Sequence, residues 1–331
     1  MSAGLIGWDR SFSDRMARAV REKQSVVVVG IDPVVESLPP DLARLAGEGT
    51  EGLFKALMDF CIGIIDSVFD LVPAIKPNIA FFEAYGVDGL MVYKLVCLAA
   101  ERAGLMVIGD VKRGDIGSTA TAYARALLDA PRLFTTGTVG VHASFSERVG
   151  SLLGPHAALT LNPYLGSDSI LPFLERGLPR GQGFFILVKT SNPSAGEIQD
   201  LVLAEGGTLA ERVASLVTEW GRDTISPESG LASVGAVVGA TNPGELARYR
   251  ALMPDAPFLL PGYGAQGAGA MDVVDAFRPD GSGGLVAASR SILNAWKKVG
   301  SSDWREAARG EVVNMNNDLR DTLSQVGKWR L

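Results

Sequence analysis

The chain has 331 residues, 47% of them hydrophobic and 21% charged, a composition that supports a large buried core and excludes a disordered or fibrous protein. A formal net charge of −6 argues against a general nucleic-acid surface, though local lysines and arginines leave room for a small anionic ligand. Two cysteines, Cys61 and Cys97, and two histidines do not easily build a zinc site, and both cysteines sit in apolar helical context as packed thiols of a reducing compartment.

The first dozen residues lack a basic segment followed by a long apolar core, so no signal peptide is evident. No uninterrupted apolar stretch reaches membrane-spanning length, and a soluble cytoplasmic protein is expected. A helix over 13–23 is expected to cap the bottom of the fold. Short apolar runs then follow at 26–31, 72–75, 105–108, 138–141, 158–161, 184–188, 234–238, 258–260 and 285–288. Amphipathic segments at 53–68, 87–103, 120–128 and 209–220 fall between them. Strands that are apolar at every position suit a parallel sheet covered by helices, and strand–helix alternation means βα units. About eight such units predict an α/β fold, a closed (β/α)8 TIM barrel forming one domain over 1–331. Nine runs are one too many. The weakest, 138–141, is assigned to an insertion near 131–155, and the tail 302–331 is read as an added surface helix.

Charged residues fall just past the strands, where a barrel keeps its active site. Asp32 follows the first run and Lys76 the second. Asp110-Val111-Lys112-Arg113-Gly114-Asp115 follows the third. Strand alternation would turn Asp110 and Lys112 to one face, and a buried anion beside a cation costs less than either alone. Asp115 is also a candidate cap for the helix starting near Ile116. On the residues alone the cluster admits proton transfer to a carbanion, metal binding or Schiff-base chemistry. Pro261-Gly262-Tyr263-Gly264-Ala265-Gln266-Gly267 fits G-x-G-x-x-G on its three glycines. It comes late in the chain, where a barrel's glycine-rich loops bind phosphate through backbone N–H groups, so phosphate is preferred over a dinucleotide. Arg290, after the last run, can add a charged fork to the same phosphate. Lys189-Thr190-Ser191-Asn192-Pro193 offers small polar groups to a planar heterocycle, or is merely a polar turn. Asn162-Pro163-Tyr164 reads as a lining turn. Neither His142 nor His156 is placed as a general base.

In this order these segments, with Gly30-Ile31-Asp32-Pro33 and the run from Lys76-Pro77-Asn78 to Glu83, resemble the orotidine 5'-phosphate decarboxylase family, in particular its longer bacterial branch. The resemblance covers about Ser11 to Leu293. It implies a (β/α)8 barrel, a homodimer, and decarboxylation of orotidine monophosphate to uridine monophosphate in pyrimidine biosynthesis, without cofactor or metal. Residue by residue it implies a catalytic network of Lys76, Asp110, Lys112 and Asp115, with Asp115 entering the neighbouring subunit's site. Asp32 and Lys76 would hold ribose hydroxyls and Ser191 the pyrimidine. Gln266 and Arg290 would bind phosphate, beside a closing loop of Pro261, Gly262, Gly264 and Gly267. Ile116 and Thr119 would complete the pocket near the neighbouring subunit. The 131–155 segment and the tail are longer than the resemblance leads one to expect, which bears on quaternary contacts more than on chemistry. Three other protein classes share part of this pattern: a magnesium-dependent barrel relative acting on a sugar phosphate, a catalytically silent nucleotide-binding barrel, and a Schiff-base aldolase. Lys76 would repel the first rival's metal. A silent binder needs no buried acid–base pair, and the acids flanking Lys112 keep it charged and unsuited to Schiff-base formation.

Overall fold

The computed structural model describes residues 10–129, 153–240, 243–264 and 267–329. Eight parallel strands close into a barrel in sequence order: β1 (Val27–Ile31), β2 (Ala74–Pro77), β3 (Met106–Arg113), β4 (Ala158–Leu161), β5 (Gly183–Lys189), β6 (Val234–Val238), β7 (Phe258–Pro261) and β8 (Gly284–Ala288). Almost every strand residue is buried, because the interior side chains fill the barrel while the outward ones meet the surrounding helices. The expected α/β barrel is therefore present. The run at 138–141 and most of the 131–155 segment lie outside the described residues.

The helix Phe12–Lys23 closes the N-terminal end of the barrel. Its Ser11 cap accepts the Asp14 amide at 3.2 Å. Phe12 then lies edge-on to Phe185, with ring centroids 5.7 Å apart. A Cβ on Gly183 would stand 2.2 Å from the Phe12 ring, so glycine is required where β5 begins.

The C-terminal helix Trp304–Gln325 is present, and it joins the ring of helices instead of lying outside it. Trp304, Val312, Leu319 and Leu323 are buried, and the helix packs on Thr50–Val68 and reaches β1. Trp304 stacks near Phe60 with centroids 5.1 Å apart, over Gly63, where any Cβ would strike the indole at 2.3 Å. Asn316 accepts from Ser25 Oγ at 2.6 Å and donates to Leu71 O at 3.0 Å. No helix among the described residues is long and apolar enough to cross a membrane.

Candidate active site

Lys76 lies within β2, and Asp110 and Lys112 lie within β3. Both strands run past the ends that apolar patterning predicts, because rim positions of a barrel accept charged side chains if these pair with one another. They do: Asp110 Oδ2 accepts from Lys76 Nζ at 2.7 Å and Oδ1 from Lys112 Nζ at 2.5 Å. The Asp110 side chain is 8% exposed and that of Lys112 47%, so the carboxylate is sealed while one ammonium group faces the barrel mouth. Burial alone would raise the Asp110 pKa. The adjacent Lys76 and Lys112 charges outweigh it and hold the carboxyl well below the usual carboxylate range. For Lys76, burial disfavours the charge, but Asp110 and then Asp32 more than restore it and the pKa is raised.

Regular strand alternation does not bring Asp110 and Lys112 together. Between β3 and β4 the pairing steps from Gly109↔Leu159 to Arg113↔Leu161, so Asp110, Val111 and Lys112 oppose Thr160 alone. The backbone bulges, and Lys112 takes a left-handed conformation with φ 44°. Thr160 fills the bulge. Its Oγ1 accepts the Lys112 amide at 3.0 Å and donates to Asp110 Oδ1 at 2.9 Å. Sequence reasoning missed Thr160. The only signal was one hydroxyl in the otherwise apolar run 158–161.

Two cavities open at the mouth, about 260 Å³ and 880 Å³, sharing Lys76 and Pro261 on their walls. The smaller is lined by Asp32, Gly262, Tyr263, Ser289 and Arg290. Asp32 Oδ1 is buried there with no hydrogen-bond partner. The larger is lined by Asp110, Lys112, Thr160 and Ser191. Pro261 ends β7, and Gly262, Gly264 and Gly267 all have positive φ (107°, 70° and 92°), which favours glycine strongly in this loop. The loop is pinned where Gly264 N donates to Ala268 O at 2.8 Å and where the Tyr263 hydroxyl donates to Asp318 of the C-terminal helix. Arg290 is exposed at the start of the short helix Arg290–Leu293. Gln266 lies outside the described residues.

Ser191 follows β5 on a loop that is anchored from below. Lys189, buried at the end of β5, pairs with Asp200 and stands 3.9 Å from Glu245. The Thr190 amide donates to Gln199 Oε1 at 2.9 Å.

Asp115, Ile116 and Thr119 line neither cavity. Asp115 Oδ1 accepts the Ile116 amide at 2.7 Å, and the helix Gly117–Leu128 has no side-chain cap, so the capping expectation is not met. Ile116 is 54% exposed and Thr119 is exposed. The chain by itself gathers Asp32, Lys76, Asp110, Lys112, Ser191, Pro261, Gly262 and Arg290 around the mouth, and leaves Asp115 half-buried and Ile116 and Thr119 exposed. His156 is fully buried between Tyr93 Oη and Leu127 O, each 2.9 Å from a ring nitrogen, and takes no part in the site. His142 lies outside the described residues.

Fold and site together define a (β/α)8-barrel enzyme with an ion-paired lysine presented at the mouth. The sequence profile of the orotidine 5'-phosphate decarboxylase / HUMPS family matches residues 26–144 and 155–303, and the chain belongs to that family. An orotidine 5'-phosphate decarboxylase of Rhodopirellula baltica is 41% identical over 317 residues, covering 94% of this chain and 99% of that protein. Among solved structures, a protein assigned as orotidine 5'-phosphate decarboxylase from Streptomyces avermitilis superposes with a TM-score of 0.75 at 32% identity, covering 95% of this chain and 96% of the other. The OMP decarboxylase of Leishmania donovani does so with a TM-score of 0.63 at 30% identity, covering 93% and 99%.

Proposed function

We propose that this chain decarboxylates orotidine 5'-phosphate to uridine 5'-phosphate, a step in making pyrimidine nucleotides. The observation that carries the reading is the Lys76–Asp110–Lys112 triad at the mouth of a barrel of this family. One carboxylate held between two ammonium groups gives the triad a net positive charge, with the half-exposed Lys112 Nζ as its accessible end.

The reaction breaks the bond between the ring carbon and its carboxylate. Carbon dioxide leaves, and the electron pair stays on a ring carbon that delocalises it poorly. A positive group fixed beside that carbon lowers the barrier electrostatically, and it costs little reorganisation because Asp110 already holds it. Lys112 then gives its proton to the carbon, acting as general acid, and regains one from solvent. Asp110 would sit beside the departing carboxylate. The smaller cavity takes the sugar phosphate: Asp32 Oδ1, buried and unpaired, is an acceptor for a ribose hydroxyl, Lys76 is its neighbour, and Arg290, Gln266 and the loop from Pro261 through Gly262, Gly264 and Gly267 meet the phosphate. Ser191, on the wall of the larger cavity, meets the pyrimidine. Phosphate binding, remote from the bond that breaks, closes the loop and so raises the rate instead of only tightening binding.

The protein acts as a homodimer in the cytoplasm, with Asp115, Ile116 and Thr119 contributed to the neighbouring subunit's site. The exposure of Ile116 and Thr119 supports the shared site, and Cys61 and Cys97, both buried free thiols, fit a reducing compartment. A metal-dependent sugar-phosphate relative is disfavoured because both Asp110 oxygens are already occupied by ammonium groups. An ultraviolet assay of the purified protein with orotidine monophosphate, with and without chelator, tests the reading. Loss of the substrate chromophore in both conditions is expected. An unchanged spectrum, or activity abolished by chelator, overturns it.

A further inference from the structure

We infer that Thr160 is a positioning residue for Lys112: its hydroxyl sets the β3 bulge that aims the ammonium group into the mouth. The inference rests on the assignment of Lys112 above and assigns Thr160 no contact with substrate.

Three observations converge on one oxygen. First, β3 carries Asp110, Val111 and Lys112 opposite Thr160 alone, so the Lys112 N–H has lost the strand-ladder acceptor that regular pairing would supply. Thr160 Oγ1 accepts it at 3.0 Å. Second, Lys112 holds φ 44°, a conformation that costs a non-glycine residue free energy and persists only where its surroundings fix it. Third, the same Thr160 oxygen donates its proton to Asp110 Oδ1 at 2.9 Å, the oxygen that also receives Lys112 Nζ at 2.5 Å. The hydroxyl therefore braces the backbone and the counter-ion of one residue together. Both ends of the Lys112 side chain are fixed by a ring that runs Lys112 N, Thr160 Oγ1, Asp110 Oδ1 and Lys112 Nζ. Thr160 is fully buried, and its hydroxyl accepts from one partner and donates to the other.

Removing the hydroxyl leaves Asp110 paired with Lys76 at 2.7 Å, so the fold and the cavity remain. What is lost is the constraint on Lys112, and a displacement of about 1 Å at the reacting group can cost roughly 100-fold in rate. Thr160→Val keeps the shape and deletes the hydroxyl; Thr160→Ser keeps the hydroxyl.

The expected result is a fall in kcat of ~10- to 100-fold for Thr160→Val, with KM for orotidine monophosphate and the dissociation constant of uridine monophosphate changed less than about threefold. Thr160→Ser should recover kcat to within about threefold of the parent. A packing role would not be rescued selectively by the hydroxyl, nor confined to kcat. If Thr160→Val does not fold, the pair Thr160→Ala and Thr160→Ser makes the same comparison. Unchanged kcat in Thr160→Val, or equal losses in the Val and Ser variants, overturns the inference. Lys112→Ala measured alongside separates the two ideas. An inactive Lys112→Ala beside a fully active Thr160→Val removes only Thr160's role. An active Lys112→Ala removes the reading of the site and the Thr160 inference with it.

Discussion

Asp110 binds two ammonium groups with one carboxylate, and each atom of that arrangement constrains the next. The acid cannot be protonated near neutral pH, because the Lys76 and Lys112 charges favour its ionised form over the opposing effect of burial. The sequence made Asp110, Lys112 and Lys76 visible, since charges next to apolar runs stand out. It did not make Thr160 visible, since a threonine in a strand is ordinary and its role depends on which residues lie opposite it. His156, not expected to be a general base, lies outside the site. It is chemically capable but buried against Tyr93 and Leu127, and burial pushes its pKa down to about 4. In the unfolded chain it titrates near 6.5. The unfolded state therefore binds the extra proton between about pH 6.5 and 4, so stability is full above this window and falls as pH drops through it, by about 3 kcal/mol in all. Urea unfolding at pH 7.5 and pH 5 should show about 2 kcal/mol of this loss in the parent and less in His156→Phe. Equal pH slopes in the two proteins would contradict the assignment.

At the scale of elements, apolar periodicity located all eight barrel strands and the principal helices between them, and misplaced the rim. The 72–75 and 105–108 runs end before Lys76 and Asp110, whereas β2 and β3 continue through them, because periodicity stops at the first charge while a barrel rim does not. The bulge in β3 is illegible for a related reason: register is a property of two strands. The place of Trp304–Gln325 in the ring follows from Trp304 lying over Gly63, a contact some 240 residues apart in sequence that no local pattern encodes. Arg250, on the helix Pro243–Leu252, is a further such device. It stacks 3.7 Å over Phe258 and donates to the carbonyls of Ala276, Met253, Ala256 and Gly283 at 2.7 to 3.0 Å, tying β7 and β8 at their N-terminal ends. A lysine cannot reproduce that fork, so Arg250→Lys should lose about 2–4 kcal/mol in chemical denaturation while turnover per folded molecule stays unchanged. A loss below about 1 kcal/mol would show the fork to be dispensable.

For the whole molecule, the chemistry is concentrated at one end of the barrel and the helix Phe12–Lys23 closes the other. The stretch after β3 carries Asp115, half-buried, and Ile116 and Thr119, both exposed, which line neither cavity. If they serve a second subunit, two inactive variants should complement each other. Lys112→Ala and Asp115→Ala, each with little activity alone, should recover about a quarter of the parent activity when mixed and allowed to exchange, since each mixed dimer holds one intact site. No recovery, with exchange verified, would place Asp115 outside the neighbour's site. The proposed chemistry depends above all on Lys112. Steady-state turnover of Lys112→Ala with orotidine monophosphate, measured beside its affinity for uridine monophosphate, tests it most directly. Turnover should fall more than ~10³-fold while the nucleotide still binds; near-parental turnover in that variant would contradict the central claim.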